Sequence, residues 1–275
     1  MSETPTPQPK GEGPSLMVAH FVSADHGWLC SPDGTESARI LFRPGKGRNG
    51  YFSNDETICH IEKAMAILEK HYPNEDHVFI FDNAPTHMKR PEDSLSAQNM
   101  PKGCREWGVD VPVQDASGRA MLGPNGKLLT TKAQIANGFF KDGTPQEFHW
   151  PEGHQHAGKF KGMAQILTEW GFDIARLKAQ CKRCEPSATM CCCRQILFNQ
   201  PDFINVETIL ESTCRARGFH VIFLPKFHCE LNFIEQCWGY AKWIYRCYPL
   251  SSKESELEMN VIKALDSAPL DSMQK

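Results

Sequence analysis

The chain has 275 residues, 12 of them cysteine, and 30 Lys and Arg stand against 33 Asp and Glu for a formal net charge of -3. That length is enough to bury a full core, and the near-balanced charge excludes the global basic bias usual in nucleic-acid-binding chains. No stretch is apolar for long enough to span a bilayer and the N-terminus has no apolar signal region, which predicts a soluble intracellular protein with reduced thiols and no membrane partner.

In chain order, residues 1–14 are polar and rich in Pro and Gly, and they read as a disordered tail. Ser15 to Val22 reads as a first strand and Ser37 to Phe42 as a second. Arg39, Arg43, Lys46 and Arg48 give that region a local basic, glycine-containing loop, suited to phosphate contacts or simply solvated. Asn54-Asp55-Glu56-Thr57 caps a helix running to about Lys70, with Ile58, Ile61, Ala64, Met65 and Leu68 on one face. A strand from His77 to Phe81 follows and delivers Asp82 into the turn Asn83-Ala84-Pro85.

Residues 91–153 are dense in Gly, Pro, Asp and Lys, with turns at Asp115–Arg119 and Gly123–Lys127, and predict hairpins or loops with little core. Lys159 to Trp170 predicts an amphipathic helix through Met163, Ile166, Leu167 and Trp170, and another helix follows from about Val206 to Arg215. A last strand, His220 to Leu224, leads through a short loop to a helix that begins near Glu230. Leu231, Ile234, Trp238, Ala241 and Tyr245 form its apolar stripe, and Glu235 lies on the polar strip beside it.

Between the two inserted helices, Cys181, Cys184, Cys191, Cys192 and Cys193 fall within thirteen positions. A Cys-x-x-Cys knuckle followed closely by further cysteines has the spacing of zinc ligands. Cys181 and Cys184 with two of the other three complete a tetrahedron, and His154 and His156 are alternative partners. A reduced, partly buried cysteine-rich loop is the plainer alternative. The seven scattered cysteines, Cys30, Cys59, Cys104, Cys214, Cys229, Cys237 and Cys247, read mostly as small buried hydrophobes.

Open α/β sheets carry their chemistry beyond the carboxyl ends of buried strands, where two carboxylates converge readily on a divalent cation. Asp82 and Glu235 each follow such a strand. The segments Phe81-Asp82-Asn83-Ala84-Pro85-Thr86-His87 and Leu224 to Gly239, the latter containing Leu231-Asn232-Phe233-Ile234-Glu235, resemble the second and third catalytic motifs of mariner-like DDE transposases. The resemblance runs from about Ser15 to the C-terminus and is nearest to a fungal transposon-derived group with a cysteine-bearing insertion. It implies an α/β fold, an RNase H-like mixed sheet flanked by helices. The catalytic-type domain would comprise 15–89 and 218–275, split by a cysteine-rich insertion over 90–217, since 153 positions separate Asp82 from Glu235.

The resemblance further implies metal-dependent cutting and joining of DNA phosphodiesters in the nucleus, by a homodimer on DNA. Asp82, Glu235 and a third ligand would hold two Mg²⁺ or Mn²⁺ ions while water or a 3′-hydroxyl attacks phosphorus. The family places its first aspartate where this chain has His20, a neutral group that favours softer ions. Impaired catalysis is the expectation. A non-catalytic nucleic-acid-binding or interaction protein that keeps the fold is the alternative, and a zinc-stabilised structural module is a third.

Overall fold

The computed structural model describes residues 15–116, 121–185, 187–249 and 253–273; the tail over 1–14 and most of the turn predicted at Asp115–Arg119 lie outside them. Near the start, β1 (Met17–Ala19), β2 (Val22–Ser23), β3 (Gly27–Trp28) and β4 (Ile40–Phe42) make antiparallel pairs, β1 with β4 and β2 with β3. The single strand predicted over Ser15 to Val22 is thus interrupted at His20 and Phe21. There the Phe21 amide donates to the His20 ring at Nδ1 (2.9 Å), a local bond that competes with the ladder.

Helix α1 (Asn54–His71) is capped by Ser53, one residue before the predicted cap. Ser53 accepts from the backbone while Glu56 reaches back to the Ser53 amide, a reciprocal capping box. Its buried face carries Ile61, Ala64, Met65 and Leu68, as the spacing requires. Strand β5 (Val78–Phe81) follows, and Phe79 and Phe81 alternate inward onto that face.

Residues 90–207 fold as a compact unit of their own; the rest of the described chain forms the other. In the inserted unit β6 (Val109–Pro112) pairs with β7 (Thr130–Ala133), and β8 (Gly138–Phe139) with β9 (Pro145–Gln146), both antiparallel. Helices α2 (Met163–Glu169), α3 (Cys193–Phe198) and α4 (Pro201–Ile204) complete it. The expectation of little core fails here. Leu95, Met100, Ile135, Phe148, Phe160, Ile166 and Leu197 are buried together. Leu95, Met100, Ile135 and Phe148 stand singly among turn residues, so no period betrays them, whereas Ile166 lies on the apolar helix face already read from the sequence. Helix α2 also begins later than predicted, at Met163, because Gly162 has φ +91° and lies so close to the Gly103 backbone that a Cβ would sit 2.5 Å from it.

The chain returns to the first unit earlier than the predicted limit at 217. Helix α5 (Ile209–Ala216), boxed by Thr208 and Glu211, packs Leu210 and Cys214 into the core with Ile61 and Phe79. Strand β10 (His220–Phe223) then pairs with β5 in parallel, His220 against Val78 through Phe223 against Phe81. One face of this pair packs on α1 and α5, while Val78 and Ile80 remain 50% exposed.

After a 3₁₀ turn at Cys229–Leu231 come α6 (Ile234–Cys247), α7 (Glu254–Asp266) and α8 (Leu270–Met273). On α6 the buried positions are Cys237 and Ala241; the predicted stripe is half-buried at Trp238 and Tyr245 and exposed at Leu231. Of the scattered cysteines, Cys214 and Cys237 are buried, whereas Cys59 and Cys104 are exposed. The architecture is mixed α/β with small two-stranded sheets, and no described helix is long and apolar enough to cross a membrane.

Candidate metal centre and the carboxylate end

Cys181, Cys184, Cys191 and Cys192 bring their sulfurs within 4.8 Å of one another. Among the described residues no other group of three or more His, Cys, Asp or Glu side chains converges in this way. The convergence follows from the chain path. The Cys193 amide donates to the Lys178 carbonyl (3.0 Å) and the Arg194 amide to the Ala179 carbonyl (3.1 Å), which ties the approach to the knuckle alongside the first turn of α3. Cys192 is the extended N-cap of that helix, and the Cys181 thiol donates to the Cys191 carbonyl (3.6 Å).

Cys193, the fifth candidate, points elsewhere: it is buried in the core with Ile196 and Leu197. His154 stacks on Trp150 with ring centroids 3.9 Å apart, and neither it nor His156 joins the thiols.

Tetrahedral zinc with sulfur at about 2.3 Å requires sulfurs about 3.8 Å apart, so the four thiols need only a small closure. Their acidities carry the signature of crowded sulfurs. The Cys191 thiol is pushed up to about 12, first by its hydrogen bond with Cys184, then by burial and its other neighbours. Burial opposes ionisation of Cys192, yet the amides of Gln195 and Cys181 and the thiols of Cys184 and Cys191 bring it below the usual value. Cys192 is thus readier to ionise than Cys181 or Cys191, and a thiolate there makes theirs harder to form unless a cation joins them. Four soft donors around one point fit a borderline-soft divalent metal.

The carboxylate end is built differently. Because β5 and β10 run parallel and in register, Asp82 and the segment leading to Glu235 leave the pair at the same end, where the Leu224 amide donates to the Phe81 carbonyl (2.8 Å). Asp82 is exposed and held by His87, whose Nδ1 lies 2.6 Å from the carboxylate. That histidine belongs to the motif read from the sequence, but nothing in its spacing assigned it a partner. Glu235 is exposed in the first turn of α6.

His20 is buried, stacked on Trp28 at 5.0 Å, and its Nε2 has no hydrogen-bond partner. Its pKa falls to about 3 through burial first and then through Arg39, His60 and Lys63. The charges acting on it are positive. His20, Asp82 and Glu235 do not converge as the four thiols do.

The basic loop is neutralised by α7. Arg39 pairs with Asp266 (2.5 Å), Arg43 with Glu254 (3.2 Å) and Glu258, and Arg48 with Glu254 (3.0 Å). No protein-family model, curated protein or solved structure matches the chain.

Proposed function

We propose that the chain is a transposon-derived, DNA-directed protein of the nucleus whose DDE-type cleavage is lost or strongly impaired and whose inserted unit is organised by a structural zinc. The observation that carries the first part is the parallel, in-register pairing of β5 and β10, which sends both carboxylate motifs to one end of two adjacent strands. That is the arrangement the resemblance to mariner-like transposases calls for, and it is where open α/β folds keep their sites.

The residues present do not fit a two-cation site. Two carboxylates and a neutral imidazole are one negative charge short, and divalent ions held close together need that charge to offset their repulsion. His20 is moreover buried beside positive groups, so its surroundings disfavour an added cation. Removing such a ligand should cost several kcal/mol of barrier, on the order of a thousandfold in rate. Without cations the exposed Asp82 and Glu235 repel phosphate, so DNA contact, alone or as a homodimer, falls to the exposed Lys226 in the loop beyond β10.

The test compares the natural chain, His20→Asp and Asp82→Ala for Mg²⁺- and Mn²⁺-dependent nicking of supercoiled plasmid. The natural chain should match the Asp82→Ala blank. Nicking clearly above that blank and not raised by His20→Asp would overturn the impaired reading. Salt-sensitive retention of duplex DNA by a non-nicking chain separates the DNA-directed reading from a purely structural module.

For the second part the support is the convergence of Cys181, Cys184, Cys191 and Cys192. When bound, zinc would clamp the knuckle to the start of α3. The exposed Lys182 and Arg183 lie where they offset the excess negative charge of four thiolates on one divalent ion.

A further inference from the structure

Phe227 is the one non-glycine residue with positive φ (68°) among the described residues, and it is 88% exposed. Each fact is unusual for a bulky aromatic, and together they are costly. The left-handed backbone presses Cβ against the carbonyl, and the exposed ring forgoes burial that a core position would give. Strain of this kind is kept where the surroundings impose it and is concentrated at ligand clamps.

The loop that holds it lies between β10 and the 3₁₀ turn, past the end at which Asp82 leaves β5. The neighbouring groups are polar. The Lys226 ammonium stands 5.1 Å from the centre of the Phe227 ring, and His228 pairs with Glu230 at 2.7 Å.

We propose that Phe227 is a stacking platform for an unpaired nucleobase, with Lys226 meeting the adjoining phosphate. The inference rests on the DNA-directed reading above and deepens it by naming the ligand as single-stranded or locally opened nucleic acid. The ring is 88% exposed with the Lys226 ammonium over one face, which leaves the other face open to a base and places a cation within reach of the adjoining phosphate. The flanking Lys226 and His228 are polar, which favours a phosphate-bearing strand over an apolar protein surface, even with Leu231 also exposed farther along the chain.

The experiment measures binding of the full chain to a fluorescent oligothymidylate, and to a backbone of equal length lacking bases, with no divalent metal present. Phe227→Asn is the main variant, since asparagine tolerates the left-handed backbone and should leave the melting temperature unchanged or raised. It should weaken oligothymidylate binding about tenfold, leave the salt slope unchanged, and have no effect on the base-free strand. Phe227→Trp should retain binding. Lys226→Met should lower the salt slope by about 0.7 on either strand.

Equal binding by the natural chain and Phe227→Asn would overturn the stacking role while leaving the DNA-directed reading intact. So would a loss that persists on the base-free strand. Absence of binding to oligothymidylate, base-free strand and duplex alike by the natural chain would overturn both.

Discussion

The four thiols of the inserted unit meet within 4.8 Å, whereas the carboxylates beyond β5 and β10 stand exposed, one of them already held by His87. The thiol centre is assembled from twelve consecutive positions and one helix start, so local backbone geometry suffices to build it. A DDE-type centre needs three side chains from segments far apart in sequence, all delivered by the sheet, and a single substitution unbalances its charge. The contrast separates a site that the chain closes on itself from one that depends on long-range agreement. It also yields experiments of graded size.

The largest effect should come from breaking the thiol centre. Structural zinc in small domains contributes on the order of 10 kcal/mol to folding; a unit with its own core of Phe148, Phe160 and Ile166 should lose less, about 5 kcal/mol. Cys181→Ser/Cys184→Ser should therefore abolish bound zinc, read by elemental analysis, and lower the melting temperature of the 90–207 unit sharply. Cys193→Ser sharpens the comparison. It should keep zinc, yet lose about 1–3 kcal/mol by leaving a hydroxyl among buried apolar groups. Zinc retained by the double variant, or lost in Cys193→Ser, would refute the ligand assignment.

That Cys193 is set apart was not legible in the sequence. Five cysteines in thirteen positions announce a centre, but which four converge depends on where α3 begins and which of its faces meets the core. The same limit runs through the fold. Helix α1 was legible because its apolar residues repeat one period from Ile58 to Leu68, although its cap lies one residue before the one read. Strands β5 and β10 were legible as short apolar runs ending in special residues. The inserted core was legible only at Met163, Ile166 and Leu167 on the predicted helix; Leu95, Met100, Ile135 and Phe148 lie singly among turn residues and are gathered only by tertiary packing. At the carboxylate end, Asp82 and Glu235 were read from motifs. The burial of His20 under Trp28, the pairing of His87 with Asp82 and the strained Phe227 are contacts and dihedral angles that no spacing encodes.

An intermediate effect should separate the two units by pH. His20 and His60 are pushed down to about 3 and about 4, in both cases first by burial, from an ordinary value of 6.5. Between those limits the unfolded chain binds more protons than the folded one. The stability these groups contribute is therefore complete above pH 6.5 and is lost as pH falls through 6.5 toward 4. Each group costs about 1.4 kcal/mol per pH unit across that window, so both together approach about 3 kcal/mol per unit near pH 5. Urea unfolding of the natural chain and of His20→Asn, followed by hydrogen exchange along α1, should show the slope roughly halved in the variant. An unchanged slope would mean that His20 is not the buried neutral group described.

The smallest effect should come from the ion pairs that tie the basic loop to α7. Arg43 and Glu254 are each 39% exposed and Arg48 is 37%, so water screens their attraction and ordering two long side chains offsets much of the gain. Glu254→Gln removes two pairs at once and should cost less than about 1 kcal/mol, vanishing near 1 M salt, where the screening length is about 3 Å. Helix α7 should remain docked, because Ala264 and Leu265 are buried and the Leu265 carbonyl accepts from the Trp28 indole (3.0 Å). Arg43 still faces Glu258 in that variant, and Arg39 still faces Asp266. Loss of several kcal/mol, or release of α7 seen as rapid hydrogen exchange along 254–266, would mean that the pairs act as a single cooperative clamp. The charged surface of the first unit would then be as tightly organised as the thiol centre of the second.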